Sequence, residues 1–250
     1  VIDGGRLRLN SLTGAYSAAN TLRAFDDRSF EYLFGAPGEE RSAKALGEFL
    51  SAARLKHDMR SLRVAAVGHT PQGFGFGRAL DGELMNAFGA ELQAIEAREL
   101  IDAAKGYTDE ECAEYLERSR CAMCGLENTP EKNRLDYARL YKSYSDYVQK
   151  NGIGALASRC WPDFFTAFGT PVCAVLSMLT DDGVAAACEA DTYGALSMYL
   201  ATQLTGKAAF FGDPVSINEQ ENTVTFWHCG MAPCSLARTD TGACAGLHCN

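Results

Sequence analysis

Glu189, Asp191, Asp213 and His228 each follow a short run of small or aromatic apolar residues. They stand in "GVAAACEADTYGAL", "GKAAFFGDP" and "NTVTFWHCG". Runs of that kind read as buried strands, and a charged side chain is tolerated at the tip of such a strand rather than inside it. In an open parallel sheet the carboxyl tips face the crevice where ligands bind. Three successive tips thus deliver Glu189, Asp213 and His228. Two carboxylates and an imidazole suit a hard or borderline divalent ion such as Mn²⁺ or Mg²⁺, whereas all-nitrogen or thiolate sets suit zinc. The competing reading is that each residue caps a helix or a turn independently. That reading is strongest for Asp191, which sits where an acid is favoured at the start of the helix "TYGALSMYLATQL". If the strand continues, Asp191 projects to the same side as Glu189.

The chain contains ten cysteines. Cys112, Cys160, Cys173 and Cys188 lie in apolar segments, where cysteine behaves as a small hydrophobe. Cys121 and Cys124 in "CAMC" have zinc or redox spacing, but "HCGMAPC" and "CAGLHC" put four residues between their cysteines, so no matching second pair completes a zinc module. So many free thiols point to a reducing cytoplasm. The glycines of "GFGFGRALDG", Gly73, Gly75 and Gly77, alternate and do not follow the dinucleotide-binding fingerprint. The expected role of "GHTPQGFGFG" is a mobile loop at the carboxyl end of a parallel strand, with His69 either reaching a substrate hydroxyl or serving structure.

The elements that position these residues alternate. Helices are expected at "SLTGAYSAANTLRAF", "GEERSAKALGEFLSAARL", "DGELMNAFG", "TDEECAEYLERSR" (opened by Thr108) and "PEKNRLDYARLYKSYSDYVQKN", with Leu135, Leu140, Tyr144 and Val148 near one face of the last. Strands are expected at "FEYLFG", "LRVAAVG", "AELQAIEA" and "IGALAS", then at the three runs that end in Glu189, Asp213 and His228. This βαβ pattern implies an α/β fold, a three-layer open parallel sheet with helices on both faces. The organisation reads as an α/β domain over residues 1–155 and a site-bearing region over 156–250 that leads into a further domain. With 47% hydrophobic and 22% charged residues the 250-residue chain has enough apolar material for a sizeable core. A net charge of -9 with no basic stripe argues against a nucleic-acid partner. No apolar run reaches the roughly 18 residues of a membrane span, and the start "VIDGGRLRLN" shows no signal-peptide pattern.

The stretch from "SRCWPDF" through "CEADTYGALSMYLATQLTGKAAFFGDP" to "FWHCGMAP" resembles the L-fucose isomerase and L-arabinose isomerase superfamily. Glu189 and Asp213 match the two metal-binding acids of fucose isomerases, including the helix and "QLTG" between them. His228 resembles a metal-binding histidine of arabinose isomerases. The wording "CWPDF" and "CEAD" is most similar to a fucose-isomerase-like branch, so the resemblance implies an aldose–ketose isomerase without naming its sugar. It implies Glu189 and Asp213 as both metal ligands and the acid/base pair and His228 as a third ligand, while Arg159 and Trp161 offer contacts to sugar hydroxyls and a ring face, with a packed core role as the alternative for Trp161. It also implies a small-molecule sugar as substrate, a homo-oligomer, and a central fragment that lacks the family's first and last domains. A sugar-binding protein without turnover, or a zinc or thiol protein built on the cysteines, would be the alternatives.

Overall fold

A computed structural model describes residues 2–3, 6–7, 11–25 and 30–248. They form two compact units, residues 1–51 and 52–250. The first holds an antiparallel pair, β1 (Ile2–Asp3) with β2 (Arg6–Leu7), then helix α1 (Ser11–Phe25) and the start of α2 (Glu40–Asp58). The second runs β3 (Arg63–Val67), α3 (Asp81–Phe88), β4 (Glu91–Ile95), α4 (Ala97–Gly106), α5 (Asp109–Ala122), β5 (Met123–Cys124), α6 (Glu131–Asn151) and β6 (Ala155–Ser158). It continues with α7 (Cys173–Asp181), β7 (Ala185–Ala187), α8 (Thr192–Thr205), a hairpin of β8 (Asp213–Asn218) and β9 (Thr223–Trp227), and β10 (Ala243–Cys244).

The centre is a four-stranded parallel sheet in the order β4-β3-β6-β7. Strands from both sides of residue 155 thus share one sheet. Every residue of β6 and β7 is buried, as in strands covered on both faces, and this is the three-layer α/β arrangement the sequence implies. Helix α8 packs on β3, β6 and β7, while α7 packs on β7 and on α6, which in turn meets α4 and α5. On α6, Leu140, Tyr144 and Val148 face the core as expected, with Leu135 partly buried against it. Tyr144 is fully buried and its phenol meets the Ser158 hydroxyl at 2.7 Å, so the polar end of this large side chain has a partner at the tip of β6.

Several elements begin and end where local chemistry predicts. Thr108 accepts a hydrogen bond from the Glu111 N–H while the Glu111 side chain returns to Thr108, a capping box at the start of α5. Gly89 ends α3 with φ 75°. Two expected strands are overturned. Residues 30–35 ("FEYLFG") form no strand, and Tyr32, Leu33 and Phe34 are exposed: aromatic content suggested a strand, but no ladder takes the segment up among the described residues. Residues 207–212 form no strand either. Asp213 therefore starts β8 instead of ending a parallel strand, and His228 follows a hairpin strand outside the parallel sheet.

Candidate active site

Strand β7 ends at Ala187, and the chain must turn through Cys188–Asp191 to enter α8. It does so with two successive left-handed residues that are not glycine, Glu189 (φ 59°) and Ala190 (φ 51°). Such conformations cost on the order of 1–3 kcal/mol each and persist where the surroundings impose them. Asp191 then caps α8, its carboxylate accepting from the Gly194 N–H at 2.6 Å. Of the two roles open to Asp191, capping is the one the structure displays. The left-handed turn leaves Glu189 half-buried, and its Oε2 is sealed from solvent with no hydrogen-bond partner among the described residues. An orphaned carboxylate oxygen is costly unless a cation or a proton joins it. Burial accordingly pushes the Glu189 carboxyl above the usual carboxylate range, helped by negative charge at Cys160, Cys229 and Asp213 and opposed by His228.

His228 reaches the same point from the hairpin. Ligand atoms of Cys188, Glu189 and His228 lie within 4.8 Å of one another. The Cys229 backbone N–H donates to His228 Nδ1 at 2.9 Å, so Nε2 remains for a proton or a metal. Burial opposes a charge on this imidazole, but Cys229, Asp213 and Glu189 outweigh it and hold its pKa above the ordinary value. Phe211 walls the ring at 5.8 Å and itself rests on the first turn of α8, where a Cβ on Gly194 would come within 2.3 Å of the Phe211 ring. Asp213 pairs with Trp227 across the hairpin, next to His228 in sequence. Asp213 is exposed and stands outside the 4.8 Å group, yet its charge acts on both Glu189 and His228. Of the three residues singled out from sequence, the structure brings Glu189 and His228 together and leaves Asp213 exposed outside their group. A hard or borderline divalent cation fits a buried, unpartnered carboxylate oxygen facing an imidazole. Cys188 is the poorer donor, because contact with Cys160 and burial keep it a neutral thiol.

The glycine loop closes one side. Thr192, the first residue of α8, accepts from the Ala79 N–H at 2.7 Å and donates to the Gly77 carbonyl at 2.9 Å. Gly77 lies so close to the Asp191 carboxylate that a Cβ there would be 2.7 Å from Cγ. The segment expected to be a mobile loop is thus fastened at Gly77–Ala79. Its other end leaves β3 at Gly68 and the exposed His69. The order β4-β3-β6-β7 reverses direction between β3 and β6, so His69 after β3 and Arg159 after β6 flank the switch point of the sheet. Arg159 donates through Nε to the Trp161 carbonyl at 3.0 Å and pairs with Asp163 at 2.9 Å. Trp161 is 47% exposed, so it is no core tryptophan. An open hollow of about 590 Å³ lined by Glu114, Arg118, Cys121 and Asp182 includes none of these residues.

The chain is similar to sulfoquinovose isomerases. It is 65% identical over all 250 residues to the sulfoquinovose isomerase of Clostridium sp. (strain MSTE9), covering 56% of that protein. It is 36% identical over 248 residues to that of Alkalicoccus urumqiensis and 37% identical over 248 residues to that of Priestia aryabhattai, covering 56% and 55% of them. The chain therefore spans little more than half the length of the curated relatives it matches. No protein-family model matches it. No helix among the described residues is long and apolar enough to cross a membrane.

Sequence reasoning missed how the thiols group. Cys112, Cys160, Cys173 and Cys188 are buried as expected. Three of them, however, gather with Cys229: the Cys173 thiol contacts those of Cys160, Cys188 and Cys229, with Cys160 Sγ at 3.4 Å. A signal existed. Cys160, Cys188 and Cys229 each fall within two residues of the carboxyl end of a strand, β6, β7 and β9 respectively, and Cys173 opens α7. The "CAMC" pair separates instead, Cys121 being exposed and Cys124 bonded to Cys244 beside the β5–β10 ladder.

Proposed function

We propose that this chain carries the metal site and the acid/base groups of an aldose–ketose isomerase whose substrate is sulfoquinovose, a sulfonated aldose. The observation that carries the reading is the buried, unpartnered Oε2 of Glu189 facing His228 at the tip of β7, in a chain similar along its whole length to proteins named sulfoquinovose isomerase. Glu189 and His228 would hold Mn²⁺ or Mg²⁺, with Asp213 completing the set from the hairpin. An ion there would stabilise the negative charge that develops on the two substrate oxygens as a proton leaves carbon.

Glu189 and Asp213 form the acid/base pair. Aldose-to-ketose conversion takes a proton from C2 and returns one to C1, while a hydroxyl proton shifts between O1 and O2. A carboxylate beside the reacting carbon can accept the proton from one carbon and return it to the other. The exposed Trp161 offers a ring face, and Arg159 and His69 offer donors to sugar hydroxyls at the switch point. Thr192 and Asp191 keep the glycine loop against the site and shield it from water. The exposed apolar residues Val215, Ile217, Val224 and Phe226 of the hairpin support burial in a homo-oligomer.

The test uses the full-length polypeptide with sulfoquinovose and Mn²⁺ in deuterated water, following ketose formation and deuterium uptake at the sugar carbons by NMR. Turnover should depend on added metal, and Glu189→Gln should lower it by at least about 100-fold. Binding of the sugar without turnover would mark the protein as a sugar-binding module, and unimpaired turnover by Glu189→Gln would remove Glu189 from the mechanism.

A further inference from the structure

A second group of donors lies beside the first and shares no residue with it. Sγ of Cys173, Sγ of Cys229 and a ring nitrogen of His248 lie within 4.8 Å of one another. Cys160 Sγ adds a fourth donor, 3.4 Å from Cys173 Sγ. Four segments distant in sequence supply them: the turn after β6, the first residue of α7, the turn after β9, and the tail beyond β10. His248 is held in place by an edge-on ring contact with Phe165 at 5.0 Å. We infer that Cys160, Cys173, Cys229 and His248 form a closed Cys₃His site for a structural Zn²⁺ ion, distinct from the carboxylate-bearing site of Glu189.

The geometry and the donor chemistry both support it. A tetrahedron with metal–sulfur bonds of about 2.3 Å has edges of about 3.8 Å, so Cys173, Cys229 and His248, all within 4.8 Å of one another, could surround an ion with small side-chain adjustments, and Cys160, 3.4 Å from Cys173, could swing in as the fourth donor. Three thiolates and an imidazole make a soft set that selects zinc over manganese or magnesium, the reverse of the Glu189 set. Cys160 and Cys173 are almost fully buried and Cys229 and His248 half-buried, and four protein donors would fill a tetrahedral zinc as structural sites do. Such an ion would tie the tail and the end of the hairpin to the sheet. Because Cys229 adjoins His228, it would also fix where that imidazole points.

The test is the metal content of the full-length protein, grown with zinc and manganese both supplied and purified without chelator. We expect one zinc per chain by inductively coupled plasma mass spectrometry. Zinc should be lost from Cys173→Ser and His248→Ala and kept in both Cys112→Ser, a buried cysteine outside the group, and Glu189→Gln. Should the cysteine variants fail to fold, the wild-type protein loaded with Co²⁺ provides an independent reading. Tetrahedral thiolate ligation gives a near-ultraviolet charge-transfer band and intense visible bands, whereas a carboxylate and imidazole set gives neither. Wild-type protein without zinc, a cobalt form without the charge-transfer band, or zinc lost from Glu189→Gln but kept in Cys173→Ser would each overturn the assignment.

Discussion

Replacing Thr192 with Val tests the fastening of the glycine loop with little change in shape. Thr192 is 2% exposed, and one hydroxyl serves two backbone groups of the loop, accepting from Ala79 N–H at 2.7 Å and donating to Gly77 C=O at 2.9 Å. Valine fills the same volume, so no cavity term enters. It leaves a buried donor and a buried acceptor without partners. Each such group costs about 1–3 kcal/mol, and some relaxation of the loop brings the pair to about 2–4 kcal/mol.

The loss should show first as local opening of residues 75–79 rather than global unfolding, because loop attachments occupy the low-stability end of a fold. At about 1.4 kcal/mol per factor of ten, the Ala79 amide should exchange with deuterium about 30- to 700-fold faster. Hydrogen exchange read by mass spectrometry on a peptide spanning Ala79 measures this directly. Thr192→Ser keeps the hydroxyl and should stay close to the parent. An Ala79 amide in Thr192→Val that exchanges within about threefold of wild type would refute the claim that these two bonds hold the loop.

Gly194→Ala puts a Cβ within 2.3 Å of the Phe211 ring, so it should unseat the wall of His228 and weaken Mn²⁺ binding by about tenfold in a calorimetric titration. Gly82→Ala, on α3 with nothing within 4 Å, should instead stabilise the protein by about 0.5–1 kcal/mol in denaturant unfolding. Asp191→Ala removes the cap of α8 and should cost about 1 kcal/mol in the same assay, while Asp191→Asn should recover most of it. Tyr107 is pushed up to about 12 by burial and by its hydrogen bond to Asp146. A folded pKa above the unfolded value of 10 contributes stability that is complete below pH 10 and lost as the pH climbs toward 12. Unfolding followed by circular dichroism across that window should show a shallower alkaline loss for Tyr107→Phe than for the parent.

Strands β3, β4, β6 and β7 were legible because each is a compact apolar run bounded by turn residues, and α5, α6 and α8 because a cap or a repeating face announces them. Helix α7 was not, since "CAVLSMLTD" is buried on nearly every side and so lacks the polar face that gives a 3.6-residue period. Helix α4 hid behind the strand reading of "AELQAIEA", although the Glu96–Glu99 capping box marks its start. Glu189 and His228 were singled out by their place at strand ends, and the structure brings them within reach of one another. The parallel-strand origin assigned to Asp213 was wrong for a physical reason. A run of apolar residues ending in an acid fits the end of a buried strand, but it equally fits a segment such as Ala208–Gly212, whose aromatic rings pack back on α8 and on the chain itself. The thiol cluster escaped because burial of single cysteines is common, and only the fold reveals that four of them share one neighbourhood.

The turn after β7 explains why the acids stand where they do. A strand can pass into a helix through glycine at little cost, yet this chain places Glu189 and Ala190 in left-handed backbone, where each side chain costs energy. Glycine at 189 would relieve that strain and also remove the carboxylate that lies within reach of His228. Asp191 and Thr192, the next two residues, are committed to capping α8 and to fastening the loop, so neither is free to take its place. Part of that strain falls on Glu189, whose Oε2 has no hydrogen-bond partner among the described residues, and the cap and the loop bonds immediately after it offset the cost. Local rules broken in this way, with compensation close by, are expected at functional sites.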